Sequence, residues 1–512
     1  MALPDSDKVI QELNRRFATP LPEFYKRRII FWYDEDRDFE EKVQNGEIEL
    51  ADAKLIELDE TNNFEIKKLL THDDKTSNYC VYCPVTYPDE KNWLLPIQLY
   101  SEEFRADLVS IWLEEMGIEN TANLRKTVKD YRPFFKTKAH RTKVANLGQK
   151  ISAPVQLVKA VMAVLCGVKK TDPNLLIRTV LRAGTDQEQN GIYQSFVKFG
   201  IDKVFWRMVD QVTGYHEETP DLGRLSCHIL MTAATRTMRM DNLVGLDSFI
   251  SIPHQSYCYD FISEWMHSDE TREFYAIARN VEDELHLPNR FSQLPIEELV
   301  GTEIFPCIDE CILKKLMTDI IDHTINVDVI TDTVEKRRTM LWYERVQNFY
   351  EGVLEVTHMQ KFYLDHSAGF HTVEPYKVWK EYTTDYYKMD TCYRLFHVAF
   401  GKSLNSSNPL LDDLFKHVAD NVEGLYANWY LDNLGSDWAN AAADNLREYG
   451  KILEVPQQTD FYQSKVKNSD TRVFVIISDA MRYEVAAALS EELRRETQAE
   501  VKLSPARESF RP

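Results

Sequence analysis

A serine and an aspartate that close an apolar run are the residues of this chain best placed to do chemistry. They lie in Thr471–Glu484, TRVFVIISDAMRYE. Val473-Phe474-Val475-Ile476-Ile477 is unbroken, apolar and largely β-branched, which predicts a strand buried on both faces. Ser478 and Asp479 fall at its C-terminal edge. A helical pattern follows (Met481, Val485, Ala488/Leu489, Leu493), and then a second strand-like run, Ala499–Leu503. Ligands and metals in open α/β sheets sit outside the carboxyl ends of the strands, so Asp479 is a candidate metal ligand. The competing reading is an aspartate that caps the helix N-terminus.

Other groupings carry weaker chemistry. Asp34, Glu35 and Asp36 also end a strand-like run, Arg28–Tyr33, and read either as metal ligands or as solvated strand-end acids. Residues 124–143, LRKTVKDYRPFFKTKAHRTK, hold eight Lys/Arg against one acid. Lys126, Lys129, Arg132, Lys136, Lys138, Arg141 and Lys143, interleaved with Tyr131, Phe134 and Phe135, form a candidate nucleic-acid patch. The alternative is a basic face docked on an acidic neighbour. Cys80 and Cys83 have CxxC spacing without a second pair, and in a strand they point to opposite faces. They read as buried structural thiols, as do Cys307 and Cys311, one helical turn apart. His366 and His371 flank Ser367–Phe370 and read as loop residues. The histidines form no HExxH, and no GxxxxGK[ST] or GxGxxG phosphate loop occurs, so ATP hydrolysis by this chain is not expected.

The elements around these residues divide into three regions. Residues 1–100 alternate strand and helix signals, which predicts an α/β, Rossmann-like domain: strands at Arg28–Tyr33, Lys54–Leu58 and Tyr79–Val85, helices at Phe39–Val43 and Phe64–Leu70. Residues 101–456 read as mainly α-helical. Phe104, Leu108, Trp112 and Met116 share one helical face, and further helices are expected at Val155–Leu165, Leu175–Leu181, Ile192–Val212, Ile308–Ile321, Lys336–Phe362, Tyr376–Phe400 and Leu410–Leu431. Residues 457–512 read as a linker and the first strand–helix–strand of another α/β domain. So short an α/β segment cannot cover its own sheet: either it joins a sheet formed earlier in the chain or its domain is cut off inside the chain's last residues, and the second is expected.

Composition narrows the class. The 512 residues are 44% hydrophobic with a formal charge of −21, which excludes a surface devoted wholly to nucleic acid. The eight cysteines have no framework spacing and suit a reducing cytoplasm, and the N-terminal MALPDSDKVIQELNRRF lacks the apolar core of a signal peptide.

With TRVFVIISDAMRYE, the preceding Asp460-Phe461-Tyr462 and the N-terminal RRIIFWYDEDRDFEE in view, the chain resembles the PglZ family of type 1 BREX bacteriophage-resistance systems, in the alkaline phosphatase superfamily. The resemblance implies that residues 1–512 are the first part of a longer protein and end just inside its alkaline-phosphatase-like domain. It implies a metal-dependent phosphoesterase, nuclease or phosphatase, for the complete protein, with Asp479 ligating one of two metals, usually zinc, and with Arg482 close enough in sequence to aid a phosphate, the alternative being a helix-surface arginine or the partner of Glu484. Zinc or another divalent ion is thus expected in the complete protein and none in this portion. The nucleophile, a Thr or Ser, belongs after the second strand, where Ser504 and Ser509 stand outside any motif. Implied partners are other BREX proteins, BrxB and the PglX methyltransferase. The portion in hand is expected to be inactive alone and to serve assembly.

Overall fold

The computed structural model describes residues 5–21, 23–105, 107–370, 374–405, 408–498 and 500–506. Most of them are helical, and the strands form one small sheet. The chain divides into two compact units, Met1–Leu222 and Gly223–Pro512.

The first unit is built on a parallel sheet of β1 (Ile29–Tyr33), β2 (Lys54–Glu57), β3 (Tyr79–Cys83) and β4 (Glu102–Arg105), in the order β2-β3-β1-β4. Parallel strands need crossovers, and helices supply them against both faces. On one face the amphipathic α1 (Asp5–Ala18) lays Val9, Leu13 and Phe17 over Ile30, Trp32, Cys80 and Tyr82, with Leu108 of a further helix packed alongside. On the other, Phe31, Val81 and Cys83 pack against Ile66 of α2 (Asn63–Lys68) and against Leu94 and Ile97, which lie in and beside α3 (Leu95–Gln98). Cys80 and Cys83 therefore serve opposite faces, as the two-residue strand period requires. Trp32 is fully buried, with the rings of Tyr82 and Phe39 at 4.9 and 5.2 Å.

β4 corrects one expectation. Phe104 is not on the helix face of Trp112; it lies in β4, paired with Trp32, and the helix α4 begins at Leu108 and ends at Glu115. Asp107 caps α4 by accepting the Ser110 N–H. The expected helix Ile192–Val212 is likewise two helices, Gly191–Lys198 and Asp202–Thr213, separated at Gly200, whose φ of 71° lies in the left-handed region.

The second unit is helical. Its core includes α5 (Cys307–Ile321), α6 (Tyr343–Asp365), α7 (Tyr387–Ser403) and α8 (Pro409–Glu423). The stretch expected as one helix from Lys336 to Phe362 is interrupted: a separate helix Val327–Arg337 precedes α6. Between them sits a buried ion pair, Arg337 donating to both Asp309 carboxylate oxygens at 2.7 Å. Tyr350 donates to the same carboxylate at 2.8 Å, and Arg337 also donates to the Thr302 carbonyl at 2.6 Å. A buried pair survives only with its remaining groups satisfied, and these contacts do that. Two π-helical stretches, Tyr382–Tyr386 and Gly424–Leu431, widen the helices leading into α7 and out of α8.

The expected buried strand Val473–Ile477 is not one. The segment forms no ladder with any described residue, and its side chains are 40%, 80%, 49%, 93% and 89% exposed. Residues 500–503 of the second expected strand are also irregular. An apolar run becomes a strand only where neighbours take its N–H and C=O groups, and no described segment does so. The helix that follows does form, as α9 (Tyr483–Glu496).

Candidate functional site

The signature SDAMRYE splits into two halves with different surroundings. Ser478 and Asp479 are exposed, and no described residue hydrogen-bonds to the Asp479 carboxylate. The turn beyond them passes through Ala480 at φ 57°. Asp479 does not cap α9 either: the cap position is Arg482, which makes no side-chain capping bond.

The other half is anchored. Tyr483 donates its hydroxyl to the Thr383 carbonyl at 2.8 Å, and its ring meets Tyr387 edge-on at 5.3 Å. Glu484 is buried and accepts from Arg394 Nε of α7 at 2.8 and 3.0 Å. Arg394, rather than Arg482, is thus the partner of Glu484. Arg482 is exposed, and its charge reaches the rings of Tyr393 and Tyr426. Burial, with a hydrogen bond to Asp390, pushes the Tyr426 hydroxyl up, and the Arg482 guanidinium works against that.

Asp390 is the centre of a tyrosine cage. Tyr382 and Tyr426 donate to its carboxylate at 2.8 and 2.7 Å, and Tyr430 lies at 3.3 Å while donating to the Tyr386 carbonyl at 2.9 Å. The two π-helical stretches deliver these rings: Tyr382 comes from one, Tyr426 and Tyr430 from the other. Beside this cage α6, α7 and α9 border a groove of about 540 Å³, with Glu355, His358, Cys392, Glu484 and Glu491 among its walls. His366 ends α6 over Phe362, ring centroids 4.1 Å apart, and its Nε2 lies 3.4 Å from Asp385. His371 and Ser509 lie outside the described residues, and Ser504 is in an irregular segment.

Among the described residues the one group of three metal-ligating side chains is Glu355, His358 and Cys392, which does not include Asp479. The spacing of Glu355 and His358, three apart on a helix, is legible in the sequence; that Cys392 faces them from another helix is not.

In the first unit the acids and the basic segment meet each other. Asp34 is buried at the end of β1 and accepts from Tyr82 Oη at 2.7 Å and the Phe39 N–H at 2.9 Å; burial pushes its carboxyl up. Lys129 pairs with Asp36 at 2.6 Å, Arg132 with Asp38, Arg125 with Asp107 at 2.8 Å, and the buried Arg141 with Glu115 at 2.7 Å. Phe134 and Phe135 are fully buried, so neither ring is open to stack on a base. Lys126, Lys136, Lys138 and Lys143 are exposed.

No helix among the described residues is long and apolar enough to cross a membrane. A family profile described as "BREX system PglZ alkaline phosphatase-like domain" matches residues 461–511. Over 503 residues, 96% of this chain, the sequence is 30% identical to "Alkaline phosphatase-like protein PglZ" of Bacillus cereus (strain H3081.97), covering 57% of that protein. Over 494 residues, 92% of the chain, it is 27% identical to "Alkaline phosphatase-like protein BrxZ" of Escherichia coli O9:H4 (strain HS), covering 56% of it. The chain thus spans a little over half the length of these curated relatives. No solved structure matches. The similarity to these relatives runs through both compact units, and the chain is similar to the PglZ and BrxZ alkaline-phosphatase-like proteins, with the BREX PglZ domain profile matching its residues 461–511.

Proposed function

We propose that this protein acts in BREX anti-phage defence as a PglZ component, and that the residues described here are its assembly portion. The complete protein is read as a metal-dependent phosphoesterase, nuclease or phosphatase, in which Asp479 ligates a metal. The carrying observation is the split of the signature. Tyr483 and Glu484 hold α9 against the helical unit, while Asp479 stands exposed and outside the one group of three metal-ligating side chains among the described residues. One carboxylate does not hold a catalytic metal pair. The partners proposed are BrxB and the PglX methyltransferase.

Two assays test the reading. Residues 1–512 are expected to show no zinc-dependent cleavage of DNA or of a chromogenic phosphoester, whereas a chain carrying the remaining length of the relatives does. Turnover by residues 1–512 that disappears in Asp479→Ala overturns this. Residues 1–512 are also expected to retain a BREX protein on co-purification, and failure to retain any of them overturns the assembly role.

A further inference from the structure

We infer that Glu355, His358 and Cys392 form a zinc site on the helical unit, separate from the signature aspartate. Glu355 and His358 stand three residues apart on α6, so both project from one face of that helix. Cys392 comes from α7, packed alongside. The ligand atoms of the three residues all lie within 4.8 Å of one another. His358 Nδ1 is 3.7 Å from Glu355 Oε2. Tetrahedral zinc with bonds of about 2.0–2.3 Å separates its ligand atoms by roughly 3.3–3.6 Å. The carboxylate–imidazole edge is close to that length already. Closing the rest needs a side-chain movement of about an ångström, and His358, 42% exposed, is free to make it.

The donor set selects the ion. One thiolate, one imidazole and one carboxylate suit zinc, which accepts S, N and O together; magnesium and calcium want oxygen alone. On binding, the Cys392 thiol gives its proton to solvent and a sulfur–metal bond forms; the imidazole binds neutral and the carboxylate ionised. Three protein ligands leave a fourth position for a water, and all three line the groove of about 540 Å³. The ion would tie α6 to α7 beside the surface that receives α9. Lys361, Lys388 and Glu491 also line that groove. This inference does not rest on the phosphoesterase reading and reverses the expectation that this portion holds no metal.

The test uses residues 1–512, stripped with chelator and titrated with Co²⁺ or Zn²⁺. Wild type is expected to take up one equivalent, to show a thiolate-to-cobalt charge-transfer band, and to gain thermal stability with Zn²⁺. Cys392→Ser is expected to abolish the band. His358→Ala, at a half-exposed position that leaves the fold intact, is expected to weaken binding at least tenfold. Asp479→Ala separates the two sites and is expected to keep the band. Circular dichroism confirms that each variant is folded. A wild-type chain that retains no metal overturns the assignment. So does a band that survives Cys392→Ser or disappears in Asp479→Ala, or affinity unchanged by His358→Ala.

Discussion

Arg394 donates through one nitrogen, Nε, to both carboxylate oxygens of Glu484, at 3.0 and 2.8 Å. The carboxylate is 1% exposed and the guanidinium-bearing chain 36%. This contact joins the family signature to the helical unit, and α9 otherwise buries little beyond Ala487 and Ser490. Removing Arg394 leaves a buried charge without its partner, a loss of about 3 kcal/mol. In Arg394→Ala, hydrogen exchange is expected to rise across residues 483–496 while α6 keeps its protection. Unchanged protection of α9 would contradict this.

The other half of the signature should behave oppositely. Asp479 is exposed and no described residue hydrogen-bonds to its carboxylate. Asp479→Ala is therefore expected to shift the stability of residues 1–512 by less than about 0.5 kcal/mol in a denaturant titration. A larger loss would mean that the aspartate has a structural role.

Glu282 should make stability depend on pH. It is fully buried, accepts the Cys307 N–H at 2.7 Å and lies 2.9 Å from Arg279 Nη1. Burial raises its carboxyl from 4.5 to about 7, against the pull of the Cys307 N–H and Arg279. A folded-state value above the unfolded one means that the folded protein holds a proton the unfolded chain has lost. The contribution is complete below about pH 4.5 and falls away as pH rises to about 7. Across that window wild type is expected to lose about 3 kcal/mol relative to Glu282→Gln, measured by denaturant unfolding at several pH values. Parallel profiles would refute the assignment.

Gly352 is set by packing rather than by backbone. It lies within α6, and a methyl group there would come within 2.3 Å of Phe415 Cζ on α8. Alanine normally stabilises a helix interior by about 1 kcal/mol over glycine. Here the ring must move, and Gly352→Ala is expected to destabilise by about 1–3 kcal/mol. Pairing it with Phe415→Leu should recover part of that loss in thermal melts.

Asp34 tests the end of β1. In Asp34→Ala both the Tyr82 hydroxyl and the Phe39 N–H lose their acceptor. A cost of about 2–3 kcal/mol is expected, with a smaller one for Asp34→Asn, which retains a carbonyl oxygen. Equal melting temperatures for the two variants would show that the hydrogen bonds contribute nothing.

Much of the framework was legible in order of residues alone. The strands at Arg28–Tyr33, Lys54–Leu58 and Tyr79–Val85 and the helices near Val155–Leu165 and Ile308–Ile321 follow from local sequence, because short apolar runs bounded by turn residues and apolar positions at helical spacing are signals each segment carries by itself. The family was equally legible, since SDAMRYE and RRIIFWYDEDRDFEE are contiguous signals. What tertiary structure decided depends on distant partners. Val473–Ile477 has a strand's composition but no ladder neighbour among the described residues. Phe104 has a helix's spacing yet joins β4 because Trp32 is there to pair with it. The basic segment was readable as a charge run; that Asp36, Asp38, Asp107 and Glu115 meet it was not. The grouping of Glu355 and His358 with Cys392 likewise exists only once α6 and α7 pack. Periodicity reports which face of an element is apolar, whereas charge pairing, ladder formation and ligand geometry depend on which other element arrives there.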